Sequence, residues 1–393
     1  MAANHFDTKI NRNQSGSVKW DDADFLFGAE GVLPLWVADM DFHVPAPVWE
    51  AIQKRAAHGI FGYPSPRHSG WKALQGWLKK RHGWEPDEEW MVGTPGVVTA
   101  LSVAIQTFTQ PGDKIIIQPP VYPPFFSSVL RNDRQIVENP LINEGGSYRI
   151  DFDDFACKAK DAKLLIFCNP HNPVGRVWAE GELQKLTEIC LENNLLILSD
   201  EIHSDLILQG HRHVPLATLS RELASRIITC MAPSKTFNTA GLYASAVIIP
   251  ETGLRKRFTD SVQRLGIGQS NVFGIAALEA AYIHGEPWLE QLLAYLEGNA
   301  DFLTDFIAER LPKIKIKKPE GTYLAWLDCR ELGLTAEQLG HFFADEAKVG
   351  LNNGATFGEQ GKGFMRLNFG CSREVLREGV GRIEQAYRKA AFK

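Results

Sequence analysis

Short apolar runs alternating with amphipathic stretches constrain this chain more than any other feature. Lys114–Gln118, Lys163–Cys168, Leu195–Ser199, Arg226–Cys230 and Ala246–Ile249 are rich in Ile, Leu and Val, with little polar–apolar alternation. Runs of this kind predict strands covered on both faces. Between two of them, Glu180–Glu192 places Leu183, Leu186, Ile189 and Cys190 on one stripe, which predicts a helix. Strand, helix and strand in succession form βαβ units, so the middle of the chain is expected to be a three-layer α/β structure around a mostly parallel sheet.

The pattern changes near residue 286. Residues 288–310 predict a long amphipathic helix and Lys313–Lys317 alternates like a half-buried strand. Residues 322–328 and 364–370 read as two more strands, and Arg373–Lys389 as a closing helix. Three parts are expected: an N-terminal segment (1–45) packing on the smaller domain, a large domain (46–286), and a smaller α+β domain (287–393).

Composition narrows the function classes. At 393 residues, with 44% apolar and 23% charged residues, the chain can bury a full core without disulfide or metal staples. A net charge of -5 argues against a general nucleic-acid or membrane-surface binder. No uncharged run approaches the roughly 20 apolar residues of a membrane span, and the first twenty residues lack a signal-peptide core. The six cysteines are scattered without a CxxC pair and mostly sit in apolar runs, as reduced core thiols rather than metal ligands. The expectation is a cytoplasmic protein with no metal, nucleic-acid or membrane partner.

Four polar features fall at the ends of buried runs, the edge where open α/β sheets bind ligands. Gly93-Thr94-Pro95-Gly96 precedes a helix predicted over Val97–Phe108, and a glycine turn at a helix start suits phosphate. Asn169-Pro170-His171-Asn172-Pro173-Val174-Gly175 is a rigid loop carrying amide donors. Asp200 ends Leu195–Ser199, where a carboxylate needs a cation or a helix to cap. Lys235 follows Arg226–Cys230 in apolar surroundings, which depress a lysine pKa and suit an amine nucleophile. Phosphate turn, amide donor, acid and lysine together describe a pocket for pyridoxal 5'-phosphate, in which the lysine binds the aldehyde and the acid keeps the ring nitrogen protonated.

In order and spacing these residues resemble the fold-type I, aspartate-aminotransferase-like pyridoxal phosphate enzymes. LPLWVADMDF (33–42), HGIFGYPS (58–65), QPPVYPPF (118–125), NPHNPVGRVW (169–178), SDEIHSDL (199–206), PSKTFN (233–238), EGTYLAWLD (320–328) and GFMRLNFG (363–370) are similar to the MalY/PatB subgroup of cystathionine β-lyases and cysteine-S-conjugate β-lyases.

The resemblance implies that Lys235 carries the cofactor and shuttles the substrate α-proton, and that Asp200 pairs with the pyridinium nitrogen. It implies that Asn172 bonds the ring's phenolic oxygen and Tyr122 stacks on the ring. Backbone amides at Gly96, Val97 and Val98, with the Ser234 hydroxyl, are its candidates for the phosphate. Tyr63 matches a position that reaches the neighbouring subunit's phosphate, which implies a homodimer with shared sites. Arg366 matches the clamp on the substrate α-carboxylate, with Asn172 and Tyr63 beside the substrate.

Two positions depart from the aspartate aminotransferase pattern. His203 stands where that group has tyrosine, and Tyr243 where it has a phosphate-binding arginine; both departures fit the β-lyase subgroup. His203 is a candidate beside the cofactor, although a satisfied structural histidine is the plainer expectation. The implied reaction is α,β-elimination from an amino acid bearing a β-thioether, giving pyruvate, ammonia and a thiol. An aminotransferase using the same pocket is the alternative in class, and a cofactor-binding regulator that docks on another protein is the alternative outside enzymology. The aromatic-rich stretches Leu33–Phe42 and Phe61–Tyr63 are candidates for lining the substrate pocket.

Overall fold

In the computed structural model, residues 5–65, 69–268, 270–390 and 392 are described. Seven strands form the main sheet: Met91–Thr94, Lys114–Ile117, Gln135–Glu138, Leu164–Cys168, Leu196–Asp200, Ile227–Met231 and Ser245–Ile248. Across the sheet they begin, in order, at Met91, Ser245, Ile227, Leu196, Leu164, Lys114 and Gln135. Ser245–Ile248 runs antiparallel to both of its neighbours, and the other pairings are parallel.

Two separate apolar clusters explain the missing alternation. Ile115, Ile117, Leu164 and Ile166 pack in one with Ala100, Leu101 and Ala104 of the helix Val97–Phe108. Ile116, Leu165 and Phe167 pack in the other with Leu183 and Leu186 of the helix Glu180–Glu192. Alternate side chains therefore leave the sheet in opposite directions and both faces are covered. The fold is the three-layer α/β arrangement expected.

A second, four-stranded antiparallel sheet is built from Lys315–Ile316, Leu324–Asp328, Asn352–Asn353 and Phe364–Asn368. Here the expected strand Lys313–Lys317 shrinks to two residues. The chain is still turning at Ile314, whose N–H bonds Leu311 O, and the Lys313 N–H goes to Tyr387 Oη instead of a neighbouring strand. The helices Glu286–Arg310 and Arg373–Ala390 accompany this sheet.

The N-terminal segment joins the two sheets across the site. Leu33–Pro34 pairs in parallel with Val349–Gly350. Residues 36–42 are then held from both sides: Asn368 Nδ2 donates to Val37 O and Asp39 O, while Asn238 Nδ2 donates to Met40 O and Phe42 O. A buried charge cluster locks the same stretch. Lys19, 1% exposed, donates to Asp41 Oδ2 at 2.9 Å, and Arg12 reaches Asp41 Oδ1 at 2.7 Å and Asp39 Oδ2 at 3.0 Å.

Breaking one partner of a buried ion pair strands the other charge. Lys19→Met is expected to cost about 3 kcal/mol, the low end for such a loss because Arg12 still serves Asp41. A denaturant titration that left the midpoint unmoved would show that this cluster does not hold the segment.

Candidate active site

The C-terminal strand ends of the main sheet open on a cavity of about 310 Å³. Gly96, Val97, Val98, Tyr122, Asn172, Asp200, His203, Ser234 and Lys235 all line it, which gathers nine of the eleven residues singled out in the sequence. Arg366 and Tyr63 are the two outside the lining.

Lys235 sits on the four-residue helix Pro233–Thr236, directly after the strand Ile227–Met231. Its Nζ donates to the Ala38 carbonyl at 2.7 Å, and the Tyr323 hydroxyl donates to the same oxygen at 2.8 Å. Burial lowers the Lys235 pKa to about 8, with Asp39 and Asp200 opposing and Arg366 assisting. An amine held this close to neutrality is ready to act as nucleophile and base.

Asp200 closes the strand Leu196–Asp200 and is 5% exposed. No helix follows for it to cap; its Oδ1 accepts from Ile202 N at 3.2 Å. Among the described residues no cation pairs with it, and burial pushes its pKa up to about 7. A buried acid in that condition is a slot for a cationic group.

Arg366 lies on the strand Phe364–Asn368, 4% exposed, and presents the opposite case. Its Nη1 donates to Asn172 Oδ1 at 2.9 Å, and its Nη2 to Trp36 O at 3.0 Å and Asn352 Oδ1 at 2.6 Å. Its Nε has no acceptor among the described residues. Among the described residues no carboxylate meets this guanidinium, and burial lowers its pKa to about 10. It is a buried cation that lacks an anion.

The phosphate candidates divide. Gly96, at φ 101°, caps the helix Val97–Phe108 in a conformation that favours glycine. Its N–H, however, donates to Ser245 Oγ at 3.0 Å, so Gly96 is not a free donor as expected. Val97 and Val98 remain at the helix start, where amides lack intrahelical acceptors and the dipole favours an anion. Tyr63 is 91% exposed and lines a separate surface cavity with Phe61 and Phe273, so within one chain it does not reach the site.

These residues fit pyridoxal 5'-phosphate: a depressed lysine for its aldehyde, an unpaired buried acid for its ring nitrogen and a helix start for its phosphate. The model for aminotransferase class I and II matches residues 30–383. The chain belongs to that family.

Within the family it falls in the MalY/PatB subgroup. It is 48% identical to cystathionine beta-lyase PatB of Bacillus subtilis (strain 168) over 97% of this chain and 99% of that one. It is 31% identical to protein MalY of Escherichia coli (strain K12) over 98% of each. The solved structure of cystalysin from Treponema denticola, which contains a pyridoxal 5'-phosphate cofactor, superposes with a TM-score of 0.95 at 38% identity, covering 98% of this chain and 99% of that one.

The positions at which this chain departs from aspartate aminotransferases both meet the cavity. His203 is 3% exposed, yet among the described residues its Nδ1 has no partner, so it is not the satisfied structural histidine expected. Burial, with Lys235 and Arg366 nearby, holds it well below the ordinary histidine value, and the ring is neutral. Tyr243, at φ 48° and 64% exposed, lines the cavity beside Gly96.

Within the stretch Leu33–Phe42 sequence reasoning did not single out Ala38, whose contribution is a backbone carbonyl, and it missed Thr99, which no motif marks. Of the aromatic-rich stretches only Ala38 faces this cavity; Phe61 and Tyr63 lie elsewhere. Among the described residues no helix is long and apolar enough to cross a membrane.

Proposed function

We propose that this chain is a pyridoxal phosphate-dependent carbon–sulfur β-lyase that cleaves L-cystathionine or a related cysteine S-conjugate to pyruvate, ammonia and a thiol. The observation that carries the reading is the joining of Lys235, Asp200 and Asn172 in one cavity, with Arg366 bonded to Asn172 from behind as a buried cation that no carboxylate among the described residues neutralises. Identity of 48% to a cystathionine β-lyase along almost the whole chain supports the reaction class.

Pyridoxal phosphate supplies an aldehyde that captures amines and a ring that accepts the electron pair left by a departing proton. The amides of Val97 and Val98 and the Ser234 hydroxyl would hold its phosphate, and Tyr122 would cover one face of its ring. Asn172 would donate from Nδ2 to the phenolic oxygen, its Oδ1 being engaged by Arg366. Asp200 would keep the ring nitrogen protonated, and the neutral His203 stands beside the same wall.

Arg366 would hold the substrate α-carboxylate, and Asn172 ties that clamp to the cofactor wall. Lys235 Nζ would take the α-proton; the bond from the β-carbon to sulfur then breaks, with its electron pair leaving on sulfur. Water completes the conversion to pyruvate and ammonia.

Exposure of Tyr63, together with the solvent-facing Tyr243 and Val98 at the cavity, supports a homodimer in which Tyr63 reaches the neighbouring site. Six unpaired cysteines support a reducing, cytoplasmic setting.

Thiol release from L-cystathionine and from other cysteine S-conjugates by the cofactor-loaded protein tests the reading, and its absence with all of them would overturn it. Arg366→Lys is expected to raise KM about tenfold or more while changing kcat less, because an ammonium cannot reproduce the guanidinium fork. An unaltered KM would remove Arg366 from substrate binding.

A further inference from the structure

We propose that Asp205 is a positioning residue for Lys235, acting through the hydroxyl of Thr236. The inference rests on the role of Lys235 proposed above. Asp205 is 4% exposed and lies in the loop that follows the strand ending at Asp200 and that also carries His203. Its Oδ1 accepts from Trp77 Nε1 at 3.0 Å and from His82 Nε2 at 2.9 Å, both on the helix Gly70–His82. Its Oδ2 accepts from Thr236 Oγ1 at 2.9 Å. One carboxylate thus ties its own loop to two other elements, the helix beneath the site and the turn that carries the lysine.

That turn needs an external anchor. The helix Pro233–Thr236 has four residues and no side-chain cap, too short to fix its own direction. Thr236 follows Lys235, so the two side chains leave the helix about 100° apart. Thr236, 1% exposed, points into the core and Lys235 into the cavity. Holding the threonine therefore sets the angle at which the lysine enters the site. Phe237 packs edge-on against Trp77 with ring centroids 5.5 Å apart, so the same helix Gly70–His82 grips the turn a second time.

The carboxylate is kept charged for this work. Burial alone would raise its pKa, but His82, Arg81 and the Thr236 hydroxyl outweigh burial and hold it below the ordinary carboxylate value. Nothing in the proposed chemistry touches Asp205 directly, which makes its role one of position.

The test compares Thr236→Val, Thr236→Ser and Asp205→Asn in the full chain loaded with pyridoxal 5'-phosphate. Two quantities are read: kcat and KM for L-cystathionine, and the rate at which borohydride fixes the cofactor on the Lys235 peptide, followed by mass. Positioning predicts that Thr236→Val and Asp205→Asn lose about tenfold or more in kcat with KM within about twofold, that fixation slows in step, and that Thr236→Ser recovers both. Thr236→Val leaves the Trp77 and His82 bonds in place, so it remains informative if Asp205→Asn does not fold.

Wild-type kcat and fixation rate in a folded Thr236→Val protein would overturn the proposal and leave Asp205 a purely structural group. A wild type that fixes cofactor at Lys235 but releases no pyruvate would overturn the lyase reading instead. The fixation rates of the variants would then decide the positioning role by themselves.

Discussion

Lys235→Ala is expected to lose at least about 10³-fold in turnover, because it removes the proton carrier and the covalent anchor together. Among the described residues it is the only amine lining the cavity, and burial lowers its pKa to about 8, so its free-base share grows through mildly alkaline pH, where an unshifted lysine stays charged. Peptide mapping after borohydride treatment should find the cofactor on the wild-type peptide containing Lys235 and on no peptide of the variant. The fold should survive. The Ala38 carbonyl that Lys235 engages still receives the Tyr323 hydroxyl, and the turn keeps its Thr236 and Phe237 anchors. Cofactor fixed at a different lysine in the variant would overturn the assignment.

Asp200→Asn is the second large effect, and it separates binding from chemistry. The substitution keeps the size and the acceptor that Ile202 N uses, and it removes the charge. Cofactor should still bind through its phosphate and Lys235, whereas turnover should fall by at least about 10²-fold, the usual cost of losing one preorganised electrostatic group at a reacting centre. The physical reason lies in the isolated carboxyl. Burial drives it up to about 7, with the Ile202 N–H and the Lys235 charge opposing only in part, and a protonated ring nitrogen would return it to the carboxylate form. Each favours the charge on the other, and asparagine offers neither term. Turnover equal to wild type would take Asp200 out of the site.

Much of the fold was legible because strands covered on both faces leave a plain signature. The runs starting at Lys114, Lys163, Leu195, Arg226 and Ala246 all lie within one residue of observed strands. Two strands left no such mark. Met91–Thr94 and Gln135–Glu138 are the sheet's edges, and their partly exposed positions leave no continuous apolar run to mark them. Lys313–Lys317 shows the opposite error. Alternation there reflects a turn with one buried isoleucine more than a paired strand.

The site was legible where chemistry falls at a strand end. Asp200, Asn172 and Lys235 each follow an apolar run, and the fold brings all three to one wall. What escaped are properties that exist only in three dimensions. The Gly96 amide is consumed by Ser245, 149 positions away, and no local pattern announces it. His203 looks like any polar residue after a strand, and its unpartnered Nδ1 depends on what the rest of the chain fails to place beside it. Ala38 works through its carbonyl, which carries no side-chain signature. Asp205 stood in a quoted motif, but its three donors come from Trp77, His82 and Thr236, up to 128 positions away.

The central claim is that this pocket eliminates a thiolate instead of transferring an amino group, since both reactions would use Lys235, Asp200 and Arg366. The most direct measurement gives the cofactor-loaded protein L-cystathionine with no keto acid and quantifies pyruvate and free thiol over many turnovers. The account predicts both products in equal amounts and no dependence on added keto acid. No pyruvate, with an amino group passed to a keto acid once one is supplied, would contradict it and make this chain an aminotransferase built on the same residues.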